Sequence, residues 1–261
     1  MPARGAMPVL TGAEPLHRTG SSGAGVLLCH GFTSTPQSVR EWGEHLAAAG
    51  ATVRAPLLPG HGTRWQDLNR TRWTDWYAAA ETELDRLRQE CRTVFVFGQS
   101  MGGTIALRLA ERHPDLAGLV LVNPSVTTLR RSAALLPVLS RVIPALSGLA
   151  GDIARPGAHE LAYDRMPLRA MASLQRFWRV TRADLAAVHQ PVLLYRSATD
   201  HIVEPVNAQL VLDGVSSSER TEIVLPDSFH VATLDHDAPA LFAGSVDFLQ
   251  RIHRKRAEET V

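Results

Sequence analysis

Thr93-Val94-Phe95-Val96-Phe97-Gly98-Gln99-Ser100-Met101-Gly102-Gly103 is the stretch on which the fold turns. Its first five residues are a β-rich apolar run, and a helical run carrying Ile105, Leu107, Leu109 and Ala110 follows it. Between them stands the pattern Gly-x-Ser-x-Gly, from Gly98 to Gly102. A serine on a sharp strand-to-helix turn takes strained backbone dihedrals so that its hydroxyl stands clear. Side chains two residues before and after it would collide in such a turn, and glycine removes the clash. Gly103 gives the helix room to approach a sheet. The pattern alone occurs by chance, and its bland reading is a structural serine in a glycine-rich turn. The flanking strand and helix make Ser100 a candidate nucleophile.

The same rhythm extends outward on both sides. Val26-Leu27-Leu28-Cys29, bounded by Gly25 and Gly31, suits a strand buried on both faces. A helix from about Pro36 to Ala49 stops at Gly50, and Thr52–Ala55 is a short strand. Trp73 to Glu90 reads as a helix with Trp76, Ala80, Leu84 and Leu87 on one face. After the Ser100 helix, which runs to about Arg112, come buried strands at Gly118–Val122, Val192–Tyr195 and Glu222–Leu225, then an amphipathic helix over Leu241–Arg254. Residues 1–24 are rich in Gly, Pro and Ser and predict a short edge element and a loop. Strands alternating with helices imply an α/β fold, with a mostly parallel central sheet covered by helices on both sides.

Residues 126–188 break the rhythm: they are rich in Leu, Ala, Arg and Pro and carry no strand signal. Helical pieces are expected at Ala133–Val142 and Leu168–Phe177. An insertion of this length predicts a small helical cap over the C-terminal edge of the sheet, where ligands bind in open α/β sheets. The chain then divides into core 1–125, cap 126–188 and core 189–261. An ordinary helical crossover is the plainer alternative.

Composition narrows the class. With 261 residues, 45% of them hydrophobic, the chain is long enough to bury a full core. A net charge of +1, without a basic block or an Arg/Lys stripe among aromatics, argues against a nucleic-acid partner. The two cysteines, Cys29 and Cys91, make no metal framework and only a weak case for a disulfide. The first fifteen residues lack the apolar stretch of a signal peptide, and no run of about 18 apolar residues appears. A cytoplasmic protein is the default expectation.

A serine hydroxyl needs a base to take its proton. On this strand-helix frame the partners follow in the order Ser, Asp/Glu, His. His17, His30, His45 and His61 precede Ser100 and are out of order; His30 reads as a brace within its loop. His113 ends the nucleophile helix, His159 and His189 lie in or beside the cap, and His253 lies on the last helix. His236, between Asp235 and Asp237, reads as a solvated helix-start residue, and His201 comes too early. His230 sits after the strand ending at Leu225 and before the last helix, where a catalytic histidine belongs. Asp200, at the end of the strand Val192–Tyr195, is the acid that would accept Nδ1–H of His230. Its plainer role is capping the helix from Pro205. Asp184 and Asp227 are rivals, but neither ends a strand. Two N–H groups are needed for the oxyanion: Met101, directly after the nucleophile, and Phe32, in the loop after the first buried strand. The Phe32 side chain would also wall the acyl pocket. No metal or organic cofactor is required.

Assembled, five motifs resemble the bacterial monoacylglycerol lipase and carboxylesterase group of the α/β-hydrolases. They are His30-Gly31-Phe32-Thr33, Gly60-His61-Gly62, Gly98-Gln99-Ser100-Met101-Gly102-Gly103, Asp200-His201-Ile202-Val203 and Ser228-Phe229-His230-Val231-Ala232-Thr233-Leu234-Asp235. The last is the most specific, and the resemblance covers nearly the whole chain. Gly151-Asp152-Ile153 through Glu160-Leu161-Ala162-Tyr163 also resembles the lid of that group. The resemblance implies hydrolysis of monoacylglycerols or similar single-chain esters, with a small lid over a tunnel for one acyl chain. It also implies that Glu160 helps hold the glycerol head and that Leu149 lines the tunnel. The chain departs from the group in Leu135-Leu136-Pro137-Val138-Leu139 and in Arg130, Arg131 and Arg141, which leaves the tunnel length open. The apolar cap also allows a transient contact with a membrane surface.

Rivals share parts of this machinery. A general short- to medium-chain carboxylesterase differs in its pocket, and chain-length profiles separate the two. A cofactor-free haloperoxidase would brominate with peroxide, and a C–C bond hydrolase would cleave diketones. A non-catalytic ligand-binding α/β-hydrolase usually lacks a triad member, and here all three candidates are present.

Overall fold

The computed structural model describes residues 8–148 and 150–259. Along it run β1 (Leu16–Arg18), β2 (Ala24–Cys29), α1 (Gln37–Ala48), β3 (Thr52–Ala55), α2 (Trp65–Leu68), α3 (Trp73–Glu90), β4 (Thr93–Gln99), α4 (Met101–Arg112) and β5 (Leu119–Val122). After them come α5 (Leu136–Val142), β6 (Ala145–Ser147), β7 (Arg165–Pro167), α6 (Leu168–Asp184), β8 (Val192–Ser197), α7 (Val206–Gly214), β9 (Arg220–Leu225) and α8 (Ala238–Glu258).

Strand side chains alternate between the faces of a sheet, so a strand covered on both sides must be apolar at every position. From Val94 to Phe97, β4 meets that demand. Val94 and Val96 join one core with α3, α4 and α6, while Phe95 and Phe97 join the other with α1 and α8. The ring of Trp42 on α1 stacks on Phe97 at 5.6 Å. On the opposite face Trp76, Ala80, Leu84 and Leu87 of α3 are fully buried, as their helical spacing predicts. Among the described residues the main sheet has seven strands in the order β1-β3-β2-β4-β5-β8-β9. β1 runs antiparallel to β3, and the other pairs are parallel. The chain moves outward one way through β2 and β3 and the other way from β4 onward. The order therefore reverses between β2 and β4, and a crevice opens at their C-terminal ends. His30-Gly31-Phe32 and Ser100 lie there.

Three expectations need correction. β9 is not a buried strand: it closes one edge of the sheet, and of its residues only Leu225 is buried. The segment between β5 and β8 is not purely helical, because β6 and β7 pair as an antiparallel ribbon, Ala145 opposite Pro167. Three residues per strand are too few to print an alternation in the sequence, and Pro167, with no N–H to donate, ends the pairing. The piece expected as one helix over Ala133–Val142 is a 3₁₀ turn, Arg131–Leu135, followed by α5, with Pro137 near the start of the helix. No helix among the described residues is long and apolar enough to cross a membrane. Both cysteines are free.

Candidate active site

Ser100 has φ 55° and ψ −117°, a conformation that ordinary side chains avoid. Glycine on either side makes the turn possible. A Cβ on Gly102 would stand 2.0 Å from the carbonyl oxygen of Cys29, and one on Gly98 would stand 2.2 Å from that of Gly102. The elbow is held by the Ser100 N–H donating to Val122 O at 2.9 Å. The serine thus projects from the N-terminus of α4, where the helix dipole favours negative charge.

His230 is buried after β9, and its Nδ1 lies 2.7 Å from Asp200 Oδ2. A ring nitrogen against a carboxylate carries the proton, which leaves the lone pair on Nε2. Asp200 Oδ1 accepts the N–H groups of Ile202 and Val203, each at 2.8 Å, so the carboxylate closes its own turn while it pairs with the histidine. α7 begins only at Val206. Burial opposes charge on His230, but the Asp200 bond and charge, with Glu160 and Asp152 nearby, hold its pKa above the ordinary histidine value. Burial likewise works against the Asp200 carboxylate, and the His230 bond with the two N–H groups brings its pKa below the usual range. Neither rival acid is among the groups that act on His230. Asp184 is paired with Arg108 at 2.6 Å, and Asp227 lies in a turn where its N–H donates to Asp237.

Ser100, His230, Phe32 and Glu160 all line one cavity of about 360 Å³. Its roof comes from the segment between β5 and β8, including Leu136, Leu139, Met171 and Trp178. Neither the Phe32 nor the Met101 amide donates to a partner among the described residues, so both remain open as donors. Glu160 Oε2 accepts the Gly151 N–H at 3.0 Å. Leu149 lies outside the described residues. His30 braces its loop: Nδ1 donates to Gly31 O at 2.9 Å, and Nε2 accepts the Leu58 N–H at 3.2 Å. No group of His, Cys, Asp and Glu that could hold a metal occurs among the described residues.

Residues 20–237 match the model of the serine aminopeptidase S33 family of hydrolases. The chain belongs to this family. This S33 hydrolase is 41% identical over 244 residues to the thermostable monoacylglycerol lipase of Bacillus sp. (strain H-257), a match covering 94% of this chain and 97% of that one. It is 24% identical over 230 residues to a carboxylesterase of Bacillus subtilis (strain 168), covering 87% and 92% of the two chains. Its fold superposes with a TM-score of 0.91 on a structure from the work on the metagenome-derived lipolytic enzymes LipS and LipT, at 36% identity over 94% of this chain and all of that one. A monoacylglycerol lipase of Paleococcus ferrophilus shares the fold at a TM-score of 0.77 and 21% identity, over 91% of this chain and 98% of that one. The S33 chain is a serine hydrolase with the α/β-hydrolase fold.

Sequence reasoning passed over three residues that surround His230. Asn123 follows β5 with φ 44° and donates to the carbonyl of His230 at 2.9 Å. Asp152 accepts the N–H of His230 and Asp235 that of Phe229. An asparagine directly after a buried strand and before Pro124 was a usable signal. The two aspartates stand in the lid and histidine motifs, yet no role was legible for them, because their partners include residues 78 and 81 positions away.

Proposed function

We propose that this protein hydrolyses carboxylic esters carrying a single acyl chain, monoacylglycerols foremost, with Ser100, His230 and Asp200 as the catalytic triad. The observation that carries this reading is the cavity. An elbow serine and a carboxylate-bound histidine open into a largely apolar space roofed by the segment over the sheet edge. Such a space suits an aliphatic chain, and the polar groups on its wall, Ser100, His230 and Glu160 among them, suit an ester.

On this reading the reaction runs through an acyl-enzyme. His230 Nε2 takes the proton of the Ser100 hydroxyl as Oγ attacks the ester carbonyl. The oxygen that becomes negative is received by the N–H groups of Phe32 and Met101, donors of a kind worth about 3 kcal/mol each in comparable sites. The imidazolium, steadied by Asp200, protonates the departing alcohol. A water activated by His230 then releases the acid. Glu160 supplies an acceptor for hydroxyls of the alcohol part. The 126–188 segment acts as a lid, and its outer face, with Leu129, Leu135, Val138 and Val142 exposed beside arginines, rests transiently on a lipid surface.

The test is a substrate series of monoacyl-, diacyl- and triacylglycerols and p-nitrophenyl esters of graded length. Monoacylglycerols should be turned over fastest, and Ser100→Ala should be inactive. Activity that survives in Ser100→Ala sinks the mechanism. Preference for triacylglycerols sinks the substrate claim, and preference for short p-nitrophenyl esters moves the reading to a general carboxylesterase. Glu160→Gln should slow monoacylglycerols more than p-nitrophenyl esters; equal slowing removes the glycerol contact.

A further inference from the structure

His230 is fastened at its ring and at both ends of its backbone. The ring is held by Asp200. The carbonyl accepts from Asn123 Nδ2 at 2.9 Å, and Asn123 directly follows β5. The N–H donates to Asp152 Oδ2 at 3.1 Å, and Asp152 belongs to the insert. The same Oδ2 accepts the N–H of His201 at 3.1 Å, while Oδ1 lies 2.8 Å from His201 Nδ1. One carboxylate on the insert therefore bonds the backbone of both loops that bring Asp200 and His230 together.

The tie is returned in the other direction. The carbonyl of Asp152 accepts the Val231 N–H at 3.0 Å. Asp235, fully buried beyond His230, accepts the N–H groups of Ala154 and Arg155 from the insert at 2.7 and 2.9 Å, and that of Phe229 at 2.9 Å. Bonds from N–H groups to a carboxylate are about twice as strong as neutral ones, and the Asp152 side chain is only 13% exposed.

We propose that Asp152 is a positioning residue of the active site, the carboxylate by which the insert sets the His230 loop against the Asp200 loop. It rests on the reading of Ser100, His230 and Asp200 as the triad. On this view the insert is part of the catalytic apparatus as well as its cover. The charged groups that face His230 are Asp200 at its ring, Asp152 at its backbone and Glu160 across the cavity, while His201 sits on the far side of Asp152 and Asp235 holds the adjacent Phe229. Burial opposes charge on His230, and the three carboxylates together outweigh it.

Asp152→Asn keeps an oxygen for the two N–H groups and removes the charge; Asp152→Ala removes both. With a soluble p-nitrophenyl ester, Asp152→Ala should lose on the order of 10–100-fold in kcat with KM little changed, the cost of a reacting group set about 1 Å out of place. Asp152→Asn should recover part of that loss and move the acid limb of the kcat/KM–pH profile to lower pH. Wild-type kcat in Asp152→Ala overturns the proposal. So does a change in KM or melting temperature alone. Should Asp152→Ala fail to fold, an unmoved acid limb in Asp152→Asn overturns it. His230→Ala is the control for the underlying reading: if that variant stays active, the triad assignment falls, whereas an inactive His230→Ala beside a wild-type Asp152→Ala removes only the role of Asp152.

Discussion

In the Asp200–His230 pair the two oxygens of one carboxylate are divided between two tasks. Oδ1 closes the loop through Ile202 and Val203, and Oδ2 fixes the tautomer of the histidine. Asp200→Asn leaves the shape and reverses the logic, since an amide can present N–H where Nδ1–H expects an acceptor. Turnover should fall about 10⁴-fold, the loss seen when the aspartate of a comparable triad is so replaced. The acid limb of the remaining activity should lie at lower pH, because a charge that raises His230 is gone. A loss of under about tenfold, measured with a fixed p-nitrophenyl ester, counts against Asp200 as the acid. The elbow was readable at this scale because Gly98 is demanded by a contact close in sequence, with Gly102, and because the pattern stands directly between a strand and a helix. Asp152 and Asp235 were not readable, since nothing near them in the chain announces a partner some eighty residues away.

At the scale of elements, the buried parallel strands were legible because both of their faces must be apolar, which makes residues 26–29, 94–97, 119–122 and 192–195 of β2, β4, β5 and β8 unbroken apolar runs. β9 reads much the same at its Ile223-Val224-Leu225 end and yet lies at the edge with Ile223 and Val224 exposed. Composition does not tell an edge from a centre; the order of pairing does. The β6–β7 ribbon is invisible for another reason, being held by partners eighteen to twenty-two residues apart rather than by any pattern of its own. The 3₁₀ turn and α5 carry the outward face of the insert. Val142 is 78% exposed and Leu129 is 65% exposed, and among the described residues Arg131 and Arg141 form no ion pair. Apolar residues ringed by cations suit an anionic bilayer surface, where each arginine contributes about 1 kcal/mol. The protein should co-sediment with vesicles containing anionic phospholipid, less so in high salt, and Val138→Asp with Val142→Asp should weaken the binding. Equal recovery of wild type and variant from the vesicle pellet removes the lipid contact.

For the whole molecule, acid is the telling stress. Burial pushes His30 down to about 4 and His61 well below its ordinary value, and their rings meet at 5.0 Å. Both stay neutral in the folded protein while the unfolded chain takes up protons below about pH 6.5, so stability falls as pH falls through that window. Glu111 acts in the opposite direction: burial raises it to about 7, so the folded state holds a proton that the unfolded chain releases above about pH 4.5. His230, raised in the fold, is charged in both states below about pH 6.5 and adds no slope there. Two histidines outweigh one carboxylate, so unfolding takes up protons on balance and stability slopes downward as pH falls between roughly pH 6.5 and 4.5. Urea unfolding across that range should show this slope, and a flat or rising stability would refute the balance. Among the described residues, 131–143 is hydrogen-bonded only locally and to Gln175 and Arg169 of α6, although it supplies Ser132, Ala133, Leu136 and Leu139 to the cavity wall. Residues 152–155, a short way along the chain, carry the ties to the histidine loop. A lineage can rewrite the first stretch and change its diet while the second keeps the chemistry intact, so preference and reactivity are free to evolve at separate rates.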